Sequence, residues 1–294
     1  MRTFASLGLS FVAIAVLGTA SPVLAQLECG GTVGPGGTFA LTEDLDCRGA
    51  PQCQVPGACS PALTVIGRAV LDLAGHRITC DSGFDDGVLL SGTGATLRDG
   101  QVNICGTGVR LTGPGRHVVR NVVSSRSGAN GFTIADSDGN RLEGNVADTS
   151  SNNGFNLTGA SNDNKLVANV ATRTQTFHGF NVSGNSDRNE LRDNVSVANA
   201  GSGFNITEDA NQLVGNTALA NGNTGFDVGG DRNRLTGNRA ASNGVGIDAA
   251  GNDNVLEGNT ALDNETNDAT EGVGCDNRWR RNVIGASDLP DCIR

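Results

Sequence analysis

Two aspartates carry the most pointed chemical possibility in this chain. Asp227 and Asp248 hold the same place in successive copies of a repeated phrase, 21 residues apart. Side by side, two carboxylates can share a proton or hold a cation, and a carboxylate pair is what acid–base attack on a sugar linkage uses. The bland alternative is a solvated face, on which two such charges repel by only about 1 kcal/mol. The same place is filled by Arg110, Thr133, Asn156, Asn181 and Asn205 in the preceding copies, a polar stripe suited to hydroxyl groups. A second candidate is the corner Arg173-Thr-Gln-Thr-Phe177-His178, the longest among the regular repeats. Phe177 lies outside the repeated apolar position, so an exposed ring beside a titratable imidazole offers a ligand contact. Strand alternation could instead turn His178 inward as structural filler.

The candidate ligand-binding set is therefore Phe177, His178, Asn156, Asn181, Asn205, Asp227 and Asp248, with His178, Asp227 and Asp248 as the groups able to move a proton. A further row, Asp138, Asn162, Asp187, Asp209, Asp231 and Asn252, suits tight turns, where Asp and Asn bond nearby backbone. Calcium is the functional alternative for that row. A firm site needs about six to eight converging oxygens, and Arg188 and Arg232 stand beside Asp187 and Asp231. No metal or other cofactor is expected to be required.

These residues are positioned by repetition. Gly131-Phe-Thr-Ile recurs as Gly154-Phe-Asn-Leu, Gly179-Phe-Asn-Val, Gly203-Phe-Asn-Ile, Gly225-Phe-Asp-Val and Gly246-Ile-Asp-Ala. Each is followed by a phrase of the form Asn140-Arg-Leu-Glu-Gly-Asn145. The apolar residue after Gly advances by 23, 25, 24, 22 and 21 positions, the period of a solenoid whose coils cannot bury an apolar face alone. Within a coil, Phe132 and Ile134 flank Thr133 in strand alternation, and no stripe of helical period occurs. Leu142 and Ala147 add two more apolar points per coil. Three short strands per coil, stacked in parallel, make a single-stranded all-β parallel solenoid of about ten coils. Asn145, Asn169, Asn194, Asn216, Asn238 and Asn259 share one slot, where stacked amides can bond each other and the corner backbone. The same reading extends that column to Asn121 and Asn282, with Gly100 and His76 in earlier coils. It places His117 outward, and builds the tenth coil on Val273 with Trp279 in the Leu slot.

The ends differ from the middle. Residues 1–25 read as a secretory leader, with Arg2, an apolar run and Val23-Leu-Ala25 before the cleavage point. Residues 26–60 form an N-terminal cap, 61–284 the solenoid and 285–294 a C-terminal cap, as open strand edges require. Without the leader the chain is one unit more negative than its formal −10, which argues against nucleic acid and anionic membrane as partners. A single lysine, Lys165, argues more mildly against polyanionic substrates. Eight cysteines avoid the clean repeats and read as disulfides of an exported protein. Cys80 and Cys105 follow core positions of successive coils and should lie within disulfide reach. Cys275–Cys292 would tie down the tail, leaving Cys29–Cys47 and Cys53–Cys59 as local pairs.

The paired phrases Gly-Phe-x-Val and Asn-x-Leu-x-x-Asn, with Leu71-Asp-Leu-Ala-Gly-His-Arg-Ile78 before them, resemble the bacterial right-handed parallel β-helix repeat proteins of the pectin-lyase-like superfamily. The resemblance spans about residues 62–284 and implies the right hand of the coil. It also implies that a sugar chain, where one binds, lies along the face carrying the Asn–Asp stripe. For activity it divides among lyases, hydrolases, epimerases and adhesins. Of the polygalacturonase signature only Asp85-Asp86 is matched, and the Asp-Pro-His-Asp of mannuronan epimerases is absent. The expectation is a secreted or periplasmic monomer with a binding or architectural role at a polysaccharide-containing surface. The alternative is a uronan lyase or epimerase.

Overall fold

The computed structural model describes residues 27–49, 61–81, 86–272, 274 and 276–285. Among them there are strands and turns but no helix, as the period-2 alternation requires. The first strands of successive coils form one parallel sheet of eleven strands, from Gly31–Val33 through Phe132–Ala135 to Asn267–Glu271. The second and third strands of each coil complete two further faces, also paired in parallel from coil to coil. Ten first strands, beginning at Leu63–Ile66, are the expected coils. The eleventh is Gly31–Val33, in register with Leu63–Val65, so the N-terminal segment carries a coil's strand itself.

The core is a set of columns. Phe132, Phe155, Phe180, Phe204 and Phe226 stack with ring centroids 4.7–4.8 Å apart and planes within 6°. Leu142, Leu166, Leu191, Leu213, Leu235 and Leu256 form a second column, fully buried. Trp279 ends it, half-buried, with its indole N–H donated to Glu271. Small residues such as Ala147, Ala171 and Ala218 fill the third side, which lets the Phe rings occupy the centre.

Asparagines close the corners. From Asn145 through Asn259, each Nδ2 donates to the Oδ1 one coil on at 3.0 Å. The second Nδ2 proton goes to a carbonyl of the preceding coil, and each backbone N–H also reaches the next Oδ1. Asn282 ends this column as expected. Asn121 does not begin it. Val122 takes the slot and donates its N–H to Asn145, while Asn121 is turned outward at φ 53° and bonds Asp99.

Two more columns accompany the first. Asn140, Asn164, Asn189, Asn211, Asn233, Asn254 and Asn277 are linked by backbone N–H to Oδ1 bonds of 2.6–2.9 Å. Asn199, Asn221, Asn243 and Asn264 form the third, which ends on Asp268. His117 heads the second column rather than facing outward. It is fully buried, its N–H donates to Asn140, its Nδ1 accepts from Ala95 and its Nε2 lies 3.0 Å from the Thr112 carbonyl.

Burial pushes the His117 imidazole below its ordinary value, against an upward pull from Thr112. Protonation would also turn Nδ1 into a donor facing the Ala95 N–H. The unfolded chain therefore takes up the proton first, and His117 costs stability as pH falls below about 6.5. His117→Asn, which restores the side chain of the column, is expected to flatten the fall of the urea midpoint between about pH 6.5 and 5. An unchanged pH profile would contradict this.

Cys29–Cys47 and Cys80–Cys105 are bonded, with Cα separations of 5.6 and 4.9 Å. The expected pairs Cys53–Cys59 and Cys275–Cys292 lie outside the described residues, as does Val273. In the last coil Ala269, not Val273, stands in register with Ile247.

Candidate functional site

Two rows of the first-strand sheet point away from the core, with Thr133 and Ser202 covered by their surroundings. In one, Thr133, Asn156, Asn181, Asn205, Asp227, Asp248 and Thr270 are in register on successive strands. Asn181 donates to Asn156 and Asn205 to Asn181, each at 2.7 Å, so the three amides form an outer ladder. All three are half-buried. At Asp227 the ladder changes from amide to carboxylate, and Asp248 repeats the change one strand later.

Nothing in the backbone demands those carboxylates. A further Asn would continue the ladder, whereas two stacked charges repel. Burial first, and then the charge of Asp248, push the Asp227 carboxyl above its ordinary value, with a weaker opposing bond from Ser202. Ser202 Oγ lies 3.4 Å from Asp227 Oδ2, and Thr270 donates to Asp248 at 2.7 Å. A raised carboxyl stabilises the fold only while protonated, and that stability is lost as pH rises through its folded value. Asp227→Asn is therefore expected to raise stability by about 1 kcal/mol at pH 7, the size of one like-charge contact in water. The gain should vanish toward pH 4, as denaturant midpoints at both values will show.

The second row lies two residues before each Phe: Asn130, Asn153, His178 and Ser202. It is joined side chain to backbone. Asn130 Oδ1 accepts the N–H of Asn153, Asn153 Oδ1 that of His178, and His178 Nδ1 that of Ser202 at 3.1 Å. That last bond occupies the Nδ1 lone pair and leaves the proton of the neutral ring on Nε2. His178 thus presents an N–H donor, and burial pushes its imidazole below the ordinary value, which keeps it neutral. Ser202, His178 and Asp227 are one step apart along the sheet, yet they are not wired as a nucleophile and base. The Ser202 hydroxyl reaches Asp227, while its backbone, not its hydroxyl, meets the imidazole.

Phe177 is 47% exposed, with its ring centroid 6.1 Å from that of His178. Its corner is pinned by bonds from Thr174 Oγ and the Gly201 N–H to the Phe177 carbonyl. The structure thus joins His178 to Phe177 at the corner, and links His178 through Ser202 to Asp227. Ser202 and Thr270 escaped the sequence reading, although Ser202 shares the slot of Asn153 and His178, which was the available signal.

The other candidates resolve as scaffold. Arg110, the cation of the stripe, is ion-paired with Asp86 at 2.8 Å. Lys165 lies on the second face, 3.2 Å from Glu190. In the Asp138–Asn252 row each side-chain oxygen accepts a backbone N–H of the next coil, from Asp138 to Asn162 and on to Asp231 and Asn252. Among the described residues no group of three or more His, Cys, Asp or Glu is arranged to hold a metal ion. Nor is any helix there long and apolar enough to cross a membrane.

A sequence model of the right-handed β-helix region matches residues 86–240. Among curated proteins no sequence matches significantly. Among solved structures, the periplasmic alginate epimerase AlgG superposes with a TM-score of 0.61 at 14% identity, over 90% of this chain and 80% of its own. The Dettilon tailspike protein gives 0.59 at 16% identity over 80% of this chain, which spans about half (52%) of the tailspike's length. The catalytic domain of a GH87 α-1,3-glucanase in complex with tetrasaccharides gives 0.52 at 13%, over 95% of this chain and 60% of the glucanase chain. Identities this low speak for the shared fold alone.

Proposed function

The chain belongs to the right-handed β-helix family, with the pectin-lyase-like architecture, and from that premise we propose that it is an exported polysaccharide-binding protein that does not cleave its ligand. The observation that carries the reading is the switch of the outer ladder from Asn205 to Asp227 and Asp248. The scaffold gains nothing from it, and departures from local consistency of this kind belong to function. Amides at Asn156, Asn181 and Asn205, the Nε2–H of His178, two carboxylates and the exposed Phe177 supply donors, acceptors and one apolar plate for sugar rings. Fold relatives that act on alginate and on α-1,3-glucan support the choice of glycans as ligand class. The two disulfides support an oxidising compartment, in keeping with a leader at residues 1–25.

The chemistry of the site argues against uronan lysis. Removing the acidic proton beside a uronate carboxylate takes a base and a cation to hold that carboxylate. The His178 lone pair at Nδ1 is already used, and Arg110 and Lys165 are held by Asp86 and Glu190. Incubation with polygalacturonate, alginate and heparin-like chains is expected to leave chain length and ultraviolet absorbance unchanged, with calcium or with chelator. Unsaturated products that disappear in His178→Ala or Asp227→Ala would overturn this reading in favour of a lyase.

A further inference from the structure

The third face of the solenoid takes no part in the Asn–Asp stripe. Its strands include Val146–Asp148, Val170–Thr172, Val195–Val197, Thr217–Leu219, Arg239–Ala241 and Thr260–Leu262. Alternation sends Ala147, Ala171, Ser196, Ala218, Ala240 and Ala261 into the core. It leaves Val146, Val170, Val195, Val197, Leu219 and Leu262 on the outside. Leu219 is 40% exposed. Asp148, Thr172, Thr217, Arg239 and Thr260 share these outward positions, so the apolar ones form a patch centred on Val195, Val197 and Leu219. A sheet face toward water is ordinarily polar, and a clustered apolar patch on one marks an interaction surface.

The charges on this face are few and ordered. In these six strands the outward charged residues are Asp148 and Arg239. The corner that follows holds Arg126, Thr149, Arg173, Ala198, Ala220, Ser242 and Asp263, one per coil, all at positive φ. The strand pairings set the order of coils. Ser125, Asp148, Thr172, Val197, Leu219, Ala241 and Leu262 are successive partners. Asp148 is thus two coils before Val197 and Arg239 two coils after it. Arg126 is three before, and Asp263 three after.

A two-fold axis lying in the face along Val195–Val197 reverses that order in a facing copy. It sets Arg126 against Asp263, at the same place in their corners, and Asp148 against Ala241, with Arg239 two residues along that strand. The Arg126–Asp263 encounter is positive with negative and occurs twice by symmetry. Between them Val170 and Thr172 meet Thr217 and Leu219. Arg126, Arg239 and Asp263 make no ion pair within the chain among the described residues, whereas Asp148 is held by Arg173 at 2.6 Å. Asp193, exposed at the opposite corner of the axial coil, would face its own copy, so the contact closes on the Arg126–Asp263 side.

We propose that this face seats a second copy of the chain, in an antiparallel two-fold homodimer that leaves both Asn–Asp stripes open. The sequence alone led to the expectation of a monomer. The seven coils from Ser125 to Leu262 span only about 29 Å at one strand spacing each, a small interface, so the dimer dissociates at ~10–100 µM.

Sedimentation velocity from ~1 to ~200 µM is expected to show the weight-average mass rising from one chain toward two across that range. Arg126→Asp and Asp263→Arg should each weaken the dimer by about fivefold or more, and the double exchange should restore it. Neither residue has an ion pair in the monomer to lose, so the exchange reads the interface. Val197→Asp should leave a monomer at every concentration, with an unchanged far-ultraviolet dichroism spectrum. Wild-type protein that stays monomeric at ~200 µM overturns the proposal. A dimer indifferent to these substitutions, or single exchanges that the double does not rescue, would overturn it equally.

Discussion

Phe180→Ala is expected to destabilise the protein by about 3–5 kcal/mol, the cost of deleting a buried ring from a core that cannot collapse to fill the space. Phe180 is the middle of five stacked rings, 4.8 Å from Phe155 and 4.7 Å from Phe204. Both neighbours are held by their own coils, so neither can slide into the gap. In a solenoid each coil is stabilised chiefly by the next, and a break at the centre uncouples the halves. Denaturant unfolding should therefore lose its single sharp transition as well as its midpoint. Phe177→Ala provides the contrast: the ring is 47% exposed and stacks in no column, so its removal should change the midpoint little. Equal effects of the two substitutions would contradict the assignment of core and surface.

Asn194→Ala should cost about 3–4 kcal/mol, although it removes no apolar group. Its Oδ1 accepts from both the N–H and the Nδ2 of Asn169, and its Nδ2 donates to the Leu166 carbonyl and to Asn216 Oδ1. Alanine leaves the N–H and Nδ2 of Asn169 without this acceptor and the Leu166 carbonyl without this donor, while Asn216 Oδ1 keeps the backbone N–H of residue 194. The second column tolerates more. The Nδ2 atoms of Asn164, Asn211 and Asn233 have no protein partner, so Asn211→Ala should cost clearly less than Asn194→Ala. Paired urea curves for the two variants measure the difference directly. A reversed order would show that the corner bonds do not set the stability of the coil.

Much of this architecture was legible because a solenoid writes its geometry into its period. Gly-Phe-x-Val announced the Phe column, and Asn145 to Asn259 announced the corner ladder, because one residue type recurred in one slot. Cys80 and Cys105 could be paired for the same reason. Legibility failed where a slot keeps its register but changes its residue type. Thr96–Asn103 and Val118–Ser125 run through the corner as continuous eight-residue strands, with Asp99 and Asn121 turned out at positive φ. Asn121 then falls one place away from the ladder it was expected to head. His117 was misread because imidazole replaces an amide there, its Nδ1 doing the accepting that an Asn oxygen does elsewhere. In the last coil the core position keeps an ordinary spacing, 22 residues from Ile247 to Ala269, but the sequence Asn267-Asp-Ala-Thr has no Gly-Phe phrase to mark it.

The candidate site was legible as a list of residues and illegible as a circuit. Strand alternation placed Asn156, Asn181, Asn205, Asp227 and Asp248 in one outward row, and the corner length exposed Phe177. The role of His178 could not be read from sequence, because it depends on which ring nitrogen the Ser202 backbone occupies. That one bond separates a ring with a free Nδ1 lone pair from one that presents an N–H donor at Nε2.

The most direct test of a glycan-binding Asn–Asp face is affinity electrophoresis through gels containing neutral glucan, galactan, polygalacturonate or alginate, run on the wild type, Asp227→Asn and Asn181→Ala. At least one polysaccharide is expected to retard the wild type. Both variants should bind about tenfold more weakly, the loss of one or two hydrogen bonds to ligand, even though Asp227→Asn folds more stably than the parent. Retardation by none of the polysaccharides, or retardation that survives both substitutions undiminished, would contradict the account.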